Sequence, residues 1–218
     1  GLALEQSRIT QVGETRDYTL VGLPLTLKYD DTNSLLDPTH GVRASATVTP
    51  TQSLTGSRSS PFMQLQLAGS AYLDLGKPGR SVLALRGLIA TIEGADRFDL
   101  PPDKRVYAGG STTVRGYKFQ SIGPRFPSGT PQGGTSLVAG TVEFRQRFLD
   151  NWGAVAFVDA GQVSADGPPL TGQWRYGLGV GARYYTGFGP IRVDVAVPLN
   201  SQTGSGSFEL YVGLGQAF

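Results

Sequence analysis

Apolar and polar residues alternate with a period of two along most of this chain, and no stretch repeats with the period of a helix. The final segment shows the pattern most plainly. Phe208, Leu210, Val212 and Leu214 fall on one face, with Phe218 ending the series, while Glu209, Tyr211, Gly213, Gly215 and Ala217 fall on the other. Ile191, Val193, Val195 and Val197 oppose Arg192, Asp194 and Ala196 in the same way. Leu178, Val180, Ala182 and Tyr184 oppose Gly177, Gly179, Gly181 and Arg183. Val138, Val142, Phe144 and Phe148 oppose Thr141, Glu143, Arg145 and Arg147.

This alternation predicts ten strands, at 2–10, 18–30, 42–51, 61–74, 81–94, 136–148, 153–164, 174–186, 189–199 and 207–218. Many are longer than the five or six residues of an ordinary strand, and about ten residues suit a tilted strand crossing a membrane. The connections differ in kind. Gly76–Gly79, Leu149–Asn151 and Thr186–Pro190 are tight, whereas 51–60, 96–135, 165–173 and 200–206 are longer and rich in Gly, Ser, Thr and Pro. Short turns at one end and long loops at the other are the habit of outer-membrane barrels. Asp30–Gly41 is the exception, long for the turn end.

Periodicity leaves open whether the apolar face meets lipid or a second sheet, as it would in a sandwich. Strand length and loop asymmetry favour lipid. So does the position near strand ends of Phe98, Tyr107, Phe126, Phe148, Trp152, Tyr185, Phe188 and Phe218, where aromatic girdles belong. The opposite face, with its glycines and charges, suits a crowded polar lumen. The expected fold is an all-β, transmembrane antiparallel β-barrel, a single domain over 1–218 with loop 96–135 folding into the lumen.

Composition narrows function mainly by exclusion. The chain has no Cys and one His, His40, so thiolate chemistry and clustered metal ligands are excluded. No Gly-x-Ser-x-Gly occurs and His40 sits in a turn, so no nucleophile–base pair suggests an enzyme. Gly177-Leu178-Gly179-Val180-Gly181 lies along a strand, not at a strand-to-helix turn, so it is no nucleotide loop. A net charge of +2 gives no reason to expect nucleic acid. The first residues lack a basic start and an apolar run, so no signal peptide is expected at Gly1.

One motif stands apart. Val114-Arg115-Gly116-Tyr117 sits in the long polar loop, and Phe157-Val158-Asp159-Ala160-Gly161 offers a carboxylate on a wall strand. A guanidinium in a semi-enclosed lumen needs such a partner, and its planar fork suits one. Tyr107-Ala108-Gly109-Gly110, Val114-Arg115-Gly116-Tyr117 and Gln120-Ser121-Ile122-Gly123-Pro124 together resemble the sixth external loop of TamA-type barrels, in the BamA/TamA outer-membrane assembly family. The similarity continues through Glu143-Phe144-Arg145, Trp152–Gly161, Gly189–Asp194 and Tyr211–Gly215, and Asp37-Pro38-Thr39-His40-Gly41 resembles the family's periplasmic turn.

The resemblance implies that Arg115 folds inward onto Asp159, with Glu143 as second acceptor, that Gly116 permits close backbone approach, and that Tyr117 packs on the wall. It also implies that Tyr211, Gly213 and Phe218 belong to a C-terminal signal strand read by the assembly machinery, although Gln216 departs from that pattern. The family barrel is sixteen-stranded and preceded by POTRA domains. This chain resembles its last ten strands only, with no POTRA pattern, and is expected to be a fragment or a shortened barrel. Such a barrel could close by joining 2–10 to 207–218.

The implied function is to help insert autotransporters and other outer-membrane proteins through a terminal-strand edge, without cofactors. The implied location is the outer membrane of a Gram-negative bacterium. The implied partners are lipid, unfolded outer-membrane proteins, POTRA domains and a periplasm-spanning subunit. The alternative is a passive pore or structural small barrel.

Overall fold

The computed structural model describes residues 1–54, 61–200 and 206–218; most of the 51–60 and 200–206 connections, Arg58 included, lies outside the described residues. Among the described residues, eleven strands make one antiparallel sheet: β1 (Ala3–Gln11), β2 (Glu14–Gly22), β3 (Leu25–Asp30), β4 (Gly41–Ser53), β5 (Pro61–Asp74), β6 (Ser81–Glu93), β7 (Ser136–Arg147), β8 (Trp152–Ser164), β9 (Arg175–Thr186), β10 (Gly189–Pro198) and β11 (Glu209–Leu214). Neighbours follow chain order from β1 to β11, with β3 beside β4.

The expected second strand, 18–30, is divided into β2 and β3, which accounts for eleven elements where ten were read. Both halves pair with β4 in one continuous register, from Leu20↔Ser53 to Asp30↔Arg43. The break falls where Leu23 donates to the Pro50 carbonyl and Pro50, without an N–H, returns nothing. The expected gap between the first two strands is a two-residue turn. Val12 and Gly13 both have positive φ, 51° and 83°, the backbone of a type I′ hairpin. That turn fixes the register, so β1 reaches only from Gln11↔Glu14 to Ala3↔Gly22. Among the described residues β1 therefore flanks only β2, and β3 has a neighbour on one side alone.

Burial resolves the question that periodicity leaves open. The apolar face points outward: Leu67, Leu85, Ile89, Val142, Val158, Val180, Val195 and Leu210 are all exposed. The charged face is buried: Glu143, Asp159, Asp194 and Arg183 are 0–1% exposed. A water-soluble sandwich would show the reverse. Among the described residues no element covers the outer face, so the arrangement is that of a lipid-facing wall around a polar interior.

That interior is filled by the long loop between β6 and β7. Ala108, Val114, Tyr117 and Ile122 from the loop pack against Ala90, Leu137, Ala139 and Val163 of the wall. Leu100 joins Leu20, Phe62 and Ile92 in a second cluster. The loop is tied within itself by isolated bridges, Val106↔Gly134, Ala108↔Ile122 and Arg125↔Pro131.

Three expectations about aromatics and closure need correction. First, Phe218 does not end a lipid-facing series. β11 stops at Leu214, Gly215 takes φ +81°, and the chain turns inward. Phe218 stacks on Tyr72 at 6.2 Å between ring centroids and packs by Val82 and Ala84. Second, only part of the girdle forms. Trp152 and Tyr184 pair outward at 5.0 Å, and Phe148 and Phe188 are exposed at strand ends. Tyr185, next to an outward residue, points inward beneath Arg147, and Tyr107 and Phe126 belong to the loop. Third, among the described residues no ladder joins β1 to β11, so the ten-strand closure is not made that way.

Candidate functional site: a loop arginine locked in the lumen

Arg115 is the centre of the interior. Its Nε and Nη2 donate to the two carboxylate oxygens of Asp159 at 2.8 and 3.0 Å, and its backbone N–H donates to the same group at 2.9 Å. Nη1 donates to Glu143 at 2.8 Å and lies 3.6 Å from Asp194. The guanidinium carbon sits 3.3 Å above the Phe157 ring centroid, a cation–π contact. Strand alternation explains the convergence: Glu143 of β7 is directly opposite Phe157 of β8, and both point inward with Asp159 two residues on.

The neighbouring motif residues hold the loop against the wall. Gly116 has φ +94°, and a Cβ there would stand 2.8 Å from the Val197 carbonyl, so only glycine fits. Its N–H donates to the Tyr211 hydroxyl at 3.0 Å, and that hydroxyl donates to the Tyr117 carbonyl at 3.3 Å. Tyr117 is buried with its hydroxyl within 2.9 Å of Asn200. A Cβ at Gly177 would collide with the Arg115 carbonyl oxygen, and Gly161 leaves room for the Val114 side chain. Val114 itself is fully buried.

The charges extend toward the turn end. Arg145 donates to Glu143 at 2.9 Å, then to the Pro38 and Phe218 main-chain oxygens at 3.2 and 3.3 Å. Arg183 contacts Asp194 at 2.5 Å and donates to Gln216 at 2.8 Å. Glu143, Arg145, Arg183 and Asp194 are buried, where one missing partner costs several kcal/mol.

The structure thus brings Arg115, Asp159 and Glu143 together, and places Tyr211 against Gly116 from the lumenal face of β11. Gly213 also faces inward, with the Arg192 side chain against it, while Phe218 leaves the strand. Asp194, which strand parity places on the charged face with Glu143, Arg183 and Arg192, does sit among them; sequence reasoning missed Phe157, Asn200 and the Arg145–Phe218 contact. For Phe157 the inward parity shared with Asp159 was a usable signal. For Asn200 no local pattern pointed inward.

An outward apolar wall, a buried charged interior and an inserted loop arginine define a membrane β-barrel domain of the outer-membrane kind. More narrowly, a family model described as the Omp85 superfamily domain matches residues 3–218, and the chain belongs to that superfamily. The crystal structure of BamA from Haemophilus ducreyi lacking POTRA domains 1–3 superposes with a TM-score of 0.73 at 21% identity. The match covers 90% of this chain and 42% of that one, so this chain spans less than half of the BamA structure.

Proposed function

We propose that this chain forms part of the barrel of a TamA-type assembly protein, which helps insert autotransporters and other outer-membrane proteins into the outer membrane of a Gram-negative bacterium. The work is templating, with no bond-making chemistry and no cofactor. The partners are lipid, unfolded barrel clients, and the POTRA domains and periplasm-spanning subunit of the family.

The observation that carries this reading is the free edge of β11. Gly215 donates to the Pro190 carbonyl, and bonded pairs alternate along an antiparallel ladder. The N–H groups of Leu210, Val212 and Leu214 therefore point away from β10. Among the described residues no strand accepts them. Soluble proteins suppress such an edge, because it pairs with any incoming strand. Here it offers a template for β-augmentation, on a wall shaped from inside by Arg115.

The test is reconstitution of the chain in lipid vesicles with an unfolded barrel client, scoring folded client by its altered gel mobility without heating. Val212→Pro removes an outward N–H while sparing the β10 ladder, and is expected to abolish the acceleration. Equal rates for vesicles with and without the wild-type chain would overturn the reading. The loop-filled interior argues against the passive-pore alternative, which predicts steady ohmic steps in a planar bilayer.

A further inference from the structure

The connection between β3 and β4, residues 31–40, is ten residues long, whereas the other turn-end connections (75–80, 148–151 and 187–188) need only two to six. Its extra length is not slack. Asp31 accepts the Val42 N–H at 2.5 Å, and Asp30 accepts both the N–H and hydroxyl of Thr32. Asn33 accepts the N–H groups of Thr39 and His40, and Ser34 accepts that of Asp37. These side-chain bonds replace a ladder and hold the segment in one shape. Pro38 is fully buried beneath it.

The segment spends that shape on the far edge of the sheet. β11 ends the strand order, β3 lies off its other side beside β4, and no ladder joins the two among the described residues. Yet Gln216 N–H donates to the Leu36 carbonyl at 2.8 Å, and Gln216 Nε2 donates to Asp37 at 2.9 Å. The Leu36 side chain lies over Gly189 and Gly215, where an added Cβ would come within 3.2 and 3.3 Å of it. Pro38 offers its carbonyl to Arg145, which also holds the Phe218 main chain.

We propose that residues 31–40 are a latch: a prebuilt strap that spans the turn end of the barrel and clamps the inward-turned end of β11, in place of a strand ladder. Leu36, Asp37 and Pro38 are its contact points, and Gln216 is the catch. Opening it frees Gln216 and Phe218 to leave the lumen and lengthens the pairing edge of β11 by the residues now folded inside. The latch is a property of the fold. Only its use in client transfer rests on the assembly reading above.

Amide exchange followed by mass spectrometry, on the chain in detergent micelles, tests it. A Leu36→Ser, Asp37→Ala variant and, separately, Gln216→Ala attack the two sides of the clamp. Leu75→Ser, in another turn-end connection, is the control. The expected result is about tenfold faster exchange over 209–216 in both latch variants, with β6–β8 unchanged and the control at the wild-type rate. Unchanged exchange over 209–216, or an equal rise across the whole sheet, would overturn the latch. If the double variant does not fold, Gln216→Ala decides alone. Client insertion measured on the same variants is a separate readout: faster exchange without altered insertion keeps the latch and rejects its role in assembly.

Discussion

Arg115 lies face-on over Phe157, its guanidinium carbon 3.3 Å from the ring centroid, while its edge is taken by Asp159 and Glu143. Face and rim of one planar group are both satisfied, which an ammonium on a flexible stem cannot reproduce. Arg115→Ala is expected to cost about 3–5 kcal/mol, because it leaves buried carboxylates unpaired. Arg115→Lys should recover only part. Arg8→Ala, which breaks an exposed pair with Asp17, should change little. Loss of unheated gel mobility on a temperature ramp measures all three; equal losses for Arg115→Ala and Arg8→Ala would reject the lock.

Gly177→Ala should act at the same place from the wall side. The new methyl would meet the Arg115 carbonyl oxygen, which is backbone and cannot swing away. The expected phenotype is a folded sheet with a displaced loop, seen as protease cleavage within 96–135 that the wild type resists. Resistance equal to wild type would show that the loop does not sit this close.

Tyr211→Phe removes the hydroxyl that bridges the Gly116 N–H and the Tyr117 carbonyl. The ring still fits, so the expected loss is about 1–2 kcal/mol from the orphaned backbone groups. A variant as stable as wild type in urea titration would mean the bridge contributes nothing.

Val12 holds φ 51°, a conformation that β-branched residues adopt reluctantly. Val12→Asn places the preferred residue before Gly13 in a type I′ turn, and should stabilise the β1–β2 hairpin by about 0.5–1 kcal/mol. Slower amide exchange in β1 is the expected signal; faster exchange would contradict the turn geometry.

The latch segment should loosen in acid. The Val42 N–H, and then the Tyr29 hydroxyl, hold the Asp31 carboxyl below its ordinary range. A depressed folded value means the contribution is full above the unfolded value near pH 4, and is lost as pH falls through the folded one. Protection over 31–42, taken relative to the intrinsic amide rate at each pH, should therefore fall below about pH 4 in the wild type, and already be low at neutral pH in Asp31→Ala. A flat profile in the wild type would remove Asp31 from the brace.

The strands were legible because a wall with lipid on one side and charge on the other writes strict alternation into the sequence. Val193 against Asp194 is as plain on paper as in space. The Arg115–Asp159 pairing was reached through resemblance, since a loop that folds back across a lumen leaves no periodic trace. The fate of Phe218 was misread for a related reason. Its parity extended the outward series, but parity holds only while the backbone stays extended, and Gly215 ends that. The β2/β3 division was hidden because it depends on Pro50, in another strand, facing Leu23.

The filled interior gives this sheet an uneven stiffness. Strands β6–β9 are held by ladders on both sides and from within by Val114, Arg115 and Tyr117. At the margins, β1, β3 and β11 each have a ladder on one side only among the described residues. The molecule is built like a hull around a keel, rigid along its midline and pliant at its rims. Away from the 31–40 clamp, thermal motion should therefore collect along these rims without loosening the loop-filled centre.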